Sequence, residues 1–212
     1  GYEPQSVFFQ VTPGLAPRHH PMVRGIRPTV FVMVNPLPPI SEAVRAKGVA
    51  CVTAADFRWQ KAHIKSTSLL GAVLARQISV EAGAAETIMF RDDWLSEASS
   101  SNVWIVKDGK LMGPPKNNLV LTGIRYGLFE RLSKALGIPF ALRPISREEV
   151  FAADEVLISS ASKELLPVVT LDGKPIGNGR PGPIYKSLYE AYQEAKVHNA
   201  QTQKQQKHGV PA

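Results

Sequence analysis

A mixed α/β (α+β) fold is what this 212-residue sequence predicts, on three observations. Short runs of β-branched and aromatic residues alternate with stretches of helical period. Two Asp-Gly pairs, Asp108-Gly109 and Asp172-Gly173, favour the tight type I′ turn that joins antiparallel strands. The apolar content of 44% is enough for a sizeable core, and the longest apolar run, residues 30–34, is far too short to cross a bilayer. The sheet is therefore expected to be mixed or antiparallel, with helices interspersed.

In chain order, residues 6–12 read as a strand ended by Pro13-Gly14, and residues 29–34 as a second strand after a proline-flanked loop. Two strands make no core of their own. Asn35-Pro36-Leu37-Pro38-Pro39 is a stiff connector, which places a domain boundary after residue 37. A short segment from Ser41, a strand over 48–53 and a helix opening near Ser66 or Thr67 follow. Strands are expected at 87–90, 103–106, 140–144, 156–160 and 168–171, with a turn at Asp92-Asp93. A helix from Thr122 is closed by Gly137, and Ser146 with Glu149 fits a capping box. The last helix is expected over 184–197. From 198 the Gln/Lys-rich chain has no apolar period and is expected to be disordered.

The formal net charge is +7, but the basic residues are scattered singly, and no RNA-reading aromatic motif accompanies them. A nucleic-acid partner is not expected; an anionic small ligand accounts for the excess as well. The single cysteine, Cys51, excludes a disulfide within the chain and points to a reducing compartment. Gly1-Tyr2-Glu3-Pro4-Gln5 lacks the basic and apolar regions of a signal peptide. A cytoplasmic protein with no membrane partner is the expectation.

Four polar clusters lie where strands meet turns or helices. Lys65 stands among Ile64, Leu69, Leu70, Val73 and Leu74, the spacing of one buried helix face. Beside a core, burial disfavours the ammonium form and leaves the free amine that condenses with a carbonyl. A lysine whose stem lies on the core while its head reaches water fits the same pattern. Glu97 precedes a serine-rich turn and reads alone as a solvated acid. Thr122-Gly123-Ile124 opens a helix whose free N–H groups suit a phosphate, although Gly123 also fits a plain tight turn. Ser159-Ser160-Ala161-Ser162 sets hydroxyls at a strand end, where simple capping is the alternative. Together the four offer an amine for an aldehyde, an acid for a ring nitrogen and an anion hole for a phosphate.

The ordered set resembles the pyridoxal-phosphate-dependent aminotransferases of the branched-chain/D-amino-acid class, fold type IV, and within it most closely the D-amino-acid (D-alanine) aminotransferases. The resemblance is carried by Phe9-Gln10-Val11-Thr12-Pro13-Gly14 with Pro17-Arg18-His19-His20, and by His63-Ile64-Lys65-Ser66 with Leu69-Leu70. It continues through Ser96-Glu97-Ala98-Ser99-Ser100-Ser101-Asn102-Val103, Leu121-Thr122-Gly123-Ile124, Ile158-Ser159-Ser160 and Pro167-Val168-Val169-Thr170-Leu171-Asp172-Gly173. It implies a large pseudo-barrel domain that binds pyridoxal 5'-phosphate, residues 38–198. Residues 1–37 would be the C-terminal remnant of a smaller α/β domain, and 199–212 a polar tail.

By the same resemblance, Lys65 is the Schiff-base lysine and proton shuttle, and Glu97 holds the ring nitrogen protonated. Gly123, Ile124, Arg125, Ser160 and Ala161 surround the phosphate. Arg18 and His20 receive the substrate α-carboxylate across the interface of a homodimer; taken alone, the pair reads as a solvated loop. Arg125 stands where such enzymes carry a threonine, and Ala161 replaces a hydroxyl. The family's further N-terminal segment, with a phosphate-binding arginine and a tyrosine, has no counterpart in this sequence, which is read as a fragment or truncated homologue. The activity implied is ping-pong transfer of an amino group between a D-amino acid and a 2-oxo acid. A branched-chain aminotransferase, a 4-amino-4-deoxychorismate lyase and an inactive truncated homologue are the alternatives.

Overall fold

In the computed structural model, which describes residues 4–208 and side chains as far as 198, the chain divides into two compact units, Gly1–Ile40 and Ser41–Ala212. In the first unit, β1 (Gln5–Thr12) and β2 (Thr29–Pro36) pair antiparallel from Gln5↔Pro36 to Thr12↔Thr29. Phe8 meets Phe31 edge-on at 6.3 Å across this ribbon. The strand continues through Asn35 and Pro36, which the sequence reads as connector. Proline is tolerated there because it closes the strand, where no further ladder bond is needed.

The second unit begins with α1 (Glu42–Lys47), capped by Ser41, whose Oγ accepts from Val44 N at 3.3 Å. Then come β3 (Val49–Ala55), α2 (Leu70–Glu81), β4 (Glu86–Arg91), β5 (Trp94–Ala98), β6 (Asn102–Lys107) and β7 (Lys110–Gly113). The remainder is α3 (Arg125–Ala135), β8 (Phe140–Leu142), α4 (Arg147–Phe151), β9 (Glu155–Ser160), β10 (Glu164–Leu171), β11 (Lys174–Pro175) and α5 (Pro183–His208). Among the described residues the strands of this unit form one mixed sheet in the order β5-β4-β3-β10-β9-β6-β7-β8, with β11 on β10. The pairs β3–β4, β3–β10 and β7–β8 are parallel, and β4–β5, β10–β9, β9–β6 and β6–β7 are antiparallel. Both Asp-Gly turns form, Asp108 and Gly109 at φ 49° and 72° and Asp172 and Gly173 at 49° and 74°, the left-handed pair that type I′ requires. The core is built around Trp104, with Tyr126 at 4.6 Å and Phe129 at 5.1 Å, and Leu157, Leu165 and Leu188 buried beside it. Gly113 is needed here, because a Cβ would lie 2.7 Å from the Trp104 ring.

The capping box forms as read: Ser146 Oγ accepts from Glu149 N at 3.1 Å, and Glu149 Oε2 from Ser146 N at 2.9 Å. Other elements also differ from the reading, and the helix expected from Thr122 starts at Arg125. Trp94–Ala98 is a strand paired with β4. The second helix starts at Leu70, not at Ser66 or Thr67. Its N-cap, Leu69, makes no side-chain cap, and Ser66 Oγ instead accepts from Ser68 N at 3.3 Å within the preceding loop. Last, α5 passes Val197 and runs to His208, because Gln, Ala and Lys are good helix formers once Tyr185, Leu188 and Tyr192 have docked the first turns. The expected tail is thus helical as far as 208, and residues 209–212 lie outside the described residues.

The face that α2 turns to the sheet also departs from its apolar spacing. Ala75 and Ser79 are its buried residues, and Thr87 Oγ1 of β4 donates to Ala75 O at 2.6 Å. Small side chains let the helix approach the sheet closely. Leu70, Val73 and Leu74 are left 71%, 59% and 51% exposed.

Candidate active site

The site is organised around Glu97, on β5 two residues before the first serine of the turn. The sheet buries it to 6% exposure, and a buried carboxylate must be met by donors. Arg58 Nη1 donates to Oε1. Asn102 Nδ2, at the start of β6, donates to Oε2 at 3.1 Å, and Leu121 N adds 3.2 Å. Arg58 is held in turn by Asp56, with Nε on Oδ1 and Nη2 on Oδ2, both at 2.9 Å, and Asp56 also pairs with Arg91 at 3.4 Å. Charges therefore alternate along Arg91, Asp56, Arg58 and Glu97. Burial would raise Asp56, but the hydrogen bond and charge of Arg58 outweigh it and hold Asp56 below the usual carboxylate range. Burial wins at Glu97 and pushes it up to about 7 against the pull of Arg58 and the Leu121 amide. A carboxyl poised there can hold or release a proton near neutrality.

Asn102 links this acid to the expected phosphate side. Its Nδ2 also donates to Leu121 O at 2.8 Å, and a Cβ on Gly123 would collide with its Oδ1. Gly123 is thus required by the close approach of Asn102. By register Asn102 pairs with Ser159 of β9, which brings Ser160 and Ala161 to the same end of the sheet. Ser159 is committed to the core, accepting from Trp104 Nε1 at 2.9 Å. Ser160 Oγ accepts from Lys163 N at 3.1 Å and lies 3.5 Å from Ser162 Oγ.

Ile124 is the N-cap of α3 and 73% exposed, with Arg125 the first helical residue. Arg125 is only 9% exposed. Its guanidinium lies 4.6 Å from the Tyr192 ring centroid, and Nη2 reaches Ala161 O at a long 3.4 Å. Its Nε is buried without a partner among the described residues. A guanidinium carries five N–H donors, so this one is short of acceptors beside a helix start, and an oxyanion there would satisfy it.

Lys65 lies on the loop between β3 and α2, exposed, with no hydrogen-bond or ion-pair partner among the described residues. The burial expected from its apolar flanks is absent, because Ile64, Leu69 and Leu70 are themselves exposed. The loop is tethered at His63, whose N donates to Asn118 O at 3.3 Å, and by Asn118 Nδ2 on Gln60 O at 2.7 Å. Arg18 and His20 belong to the first unit and sit at bends in the loop between β1 and β2. Within the second unit, Glu97, Gly123, Ile124, Arg125, Ser160 and Ala161 thus gather at the ends of β5, β6 and β9 and the start of α3.

Sequence reasoning missed Arg58 and Asn102. Arg58 follows a strand in Asp56-Phe57-Arg58, and an acid and a base one residue apart at a strand end were the available signal. Asn102 was visible as a strand-opening amide after the serines but had no assigned partner. No cluster of potential metal ligands occurs among the described residues.

The family model of the class IV amino-transferases matches residues 2–171. D-alanine aminotransferase of Bacillus licheniformis is 36% identical over 189 residues, covering 89% of this chain and 66% of that protein. The D-alanine aminotransferase of Staphylococcus aureus strain N315 is 35% identical, covering 91% and 68%. Among solved structures, the branched-chain amino acid aminotransferase of Escherichia coli superposes with a TM-score of 0.80 at 26% identity, covering 89% of this chain and 64% of that one. A second branched-chain amino acid aminotransferase, the T.th. enzyme with pyridoxamine 5'-phosphate, gives 0.76 at 27% identity, covering 82% and 59%. The chain spans about two thirds of the length of the relatives it matches. With a match over most of its length and the same mixed, curled sheet, the chain belongs to the class IV aminotransferase family.

Proposed function

We propose that this chain is the cofactor-binding part of a pyridoxal 5'-phosphate-dependent D-amino-acid aminotransferase, which moves an amino group between a D-amino acid of the D-alanine type and a 2-oxo acid. The observation that carries the reading is Glu97, a buried carboxyl near neutrality at the same sheet end as a donor-rich helix start. The relatives named D-alanine aminotransferase support the substrate class. The residues fit the cofactor: Glu97 suits its ring nitrogen, and Arg125, with an unsatisfied buried Nε, suits its phosphate beside the backbone of Gly123 and Ile124 and the turn at Ser160 and Ala161. Bound there, pyridoxal phosphate supplies an aldehyde carbon and an electron sink. Lys65 is the residue that would hold the cofactor covalently through its Nζ, with water as the leaving group, and would carry the proton of the substrate Cα. Glu97 would hold the proton at the ring nitrogen, and Arg58 and Asn102 hold Glu97 in place. Arg18 and His20 of a second copy would receive the substrate carboxylate, the guanidinium by paired hydrogen bonds.

A homodimer belongs to the same proposal. The exposed face of Leu70, Val73 and Leu74 offers an apolar surface for a second copy. Sedimentation should give twice the chain mass, and a monomer at assay concentration would remove this part of the reading.

The deciding experiment is a visible spectrum of the cofactor-loaded protein with D-alanine added first and L-alanine in a separate cuvette. D-alanine is expected to bleach the band above 400 nm, and L-alanine to leave it. The opposite order favours a branched-chain aminotransferase, the second reading, which the names of the solved structures support. No change with either amino acid refutes a transaminase.

Arg125→Ala is expected to weaken cofactor retention by about tenfold or more while leaving the order of substrates unchanged, the scale of one charge-assisted hydrogen bond. Dialysis against buffer with the bound cofactor read by absorbance checks it. Equal retention would leave the phosphate to backbone amides alone.

A further inference from the structure

The three serines of the β5–β6 turn do not face the expected cofactor residues; they converge on Glu86. This glutamate, the first residue of β4, is wholly buried at 0% exposure. It accepts from Ser99 Oγ, from Ser100 Oγ at 2.5 Å and from Ser101 Oγ at 2.7 Å, and Lys163 Nζ reaches it at 2.7 Å. Three of these donors share Oε1 and Ser99 takes Oε2, so neither carboxylate oxygen is left without a partner. Lys163 spends its ammonium donors on the same group, on Glu86, on Ser100 at 2.8 Å and on Ser101 at 3.4 Å. The network is closed on both sides, the condition under which a buried polar cluster rigidifies what it touches. Burial alone would raise Glu86, but the charge and hydrogen bond of Lys163, with the serine hydroxyls, hold it below its usual range.

Its connections give this pair a task. The serine turn carries Glu97 two residues before Ser99 and Asn102 directly after Ser101. Lys163 comes from the β9–β10 turn, whose first residues are Ala161 and Ser162, and its own N–H donates to Ser160 Oγ at 3.1 Å. One ion pair with a buried carboxylate therefore ties the turn that follows Glu97 to the turn expected at the phosphate.

We propose that Glu86 and Lys163 are positioning residues that lock these two turns in register, so that Glu97 and the phosphate anchor present the spacing of one cofactor. The proposal rests on the reading of the site as a pyridoxal phosphate site. Neither residue touches the reacting atoms; the pair acts through Ser99, Ser100, Ser101 and Ser160.

The test uses the full chain loaded with pyridoxal 5'-phosphate, in Ser100→Ala and in the double variant Glu86→Gln/Lys163→Met, which removes both charges and strands neither. Two readouts are followed: the rate of cofactor release, and the pH midpoint of the bound cofactor's visible band. The double variant is expected to release cofactor roughly tenfold to a hundredfold faster and to move the midpoint, the scale of misplacing a site from its supporting residues. Ser100→Ala, at an exposed position that tolerates the change, should move both in the same direction by less. A double variant with the parent's release rate and midpoint overturns the proposal even if it melts lower, since the pair then supports only the fold. If the double variant does not fold, Ser100→Ala decides, and parental values in both readouts overturn it. A parent that takes up no pyridoxal phosphate overturns the proposed function and this inference with it. A parent that binds while all variants match it overturns this inference alone.

Discussion

Lys65→Ala is expected to abolish covalent attachment of pyridoxal 5'-phosphate and to lower turnover by at least ~10²–10⁴-fold, the usual contribution of a positioned proton-transfer group. The expectation rests on where the lysine stands. Its amine has no ion-pair or hydrogen-bond partner among the described residues, so on the proposed role it would have no contact to break before attachment. The loop that carries it is anchored on one side by Asn118 and on the other by the start of α2, and Arg58, which grips Glu97, lies seven residues before it in sequence. Borohydride reduction of the loaded protein followed by peptide mapping should put the label on the peptide containing Lys65. A label on Lys61 or Lys163 would assign the attachment elsewhere.

On the proposed role, Glu97→Gln should retain cofactor but lose turnover by ~10²–10³-fold, because the glutamine keeps the shape of the side chain without the charge that would hold a proton on the ring nitrogen. The same residue gives a pH signature in the cofactor-free protein. Glu97 is raised from 4.5 to about 7 by burial, so the folded chain holds this proton more tightly than the unfolded chain. Its contribution to stability is full below pH 4.5 and is lost as the pH rises to about 7. The loss is on the order of 3 kcal/mol for this one group. Denaturant titrations of parent and Glu97→Gln across that window check it: the parent should weaken toward pH 7 relative to the variant. A constant difference between the two would mean that Glu97 is ionised throughout, with Arg58 outweighing burial.

What the sequence determined by itself is whatever depends on neighbours within a few residues. The Ser146/Glu149 box closes over three residues, and the Asp108-Gly109 and Asp172-Gly173 turns need only the left-handed backbone that those residues tolerate. The order of the motifs was enough to name the family, because each motif is a short run at a strand end. Tertiary structure decided what depends on approach between distant segments. Arg58 lies 39 residues from Glu97, and Lys163 77 residues from Glu86, and no local feature says which distant carboxylate either cation meets. The serine turn read as a neighbour of Glu97 serves Glu86, because a buried carboxylate takes the nearest donors. The apolar period of α2 announced an amphipathic helix but not which face the sheet would take. Close packing against β4 selected Ala75 and Ser79 for their size and left the leucines outside.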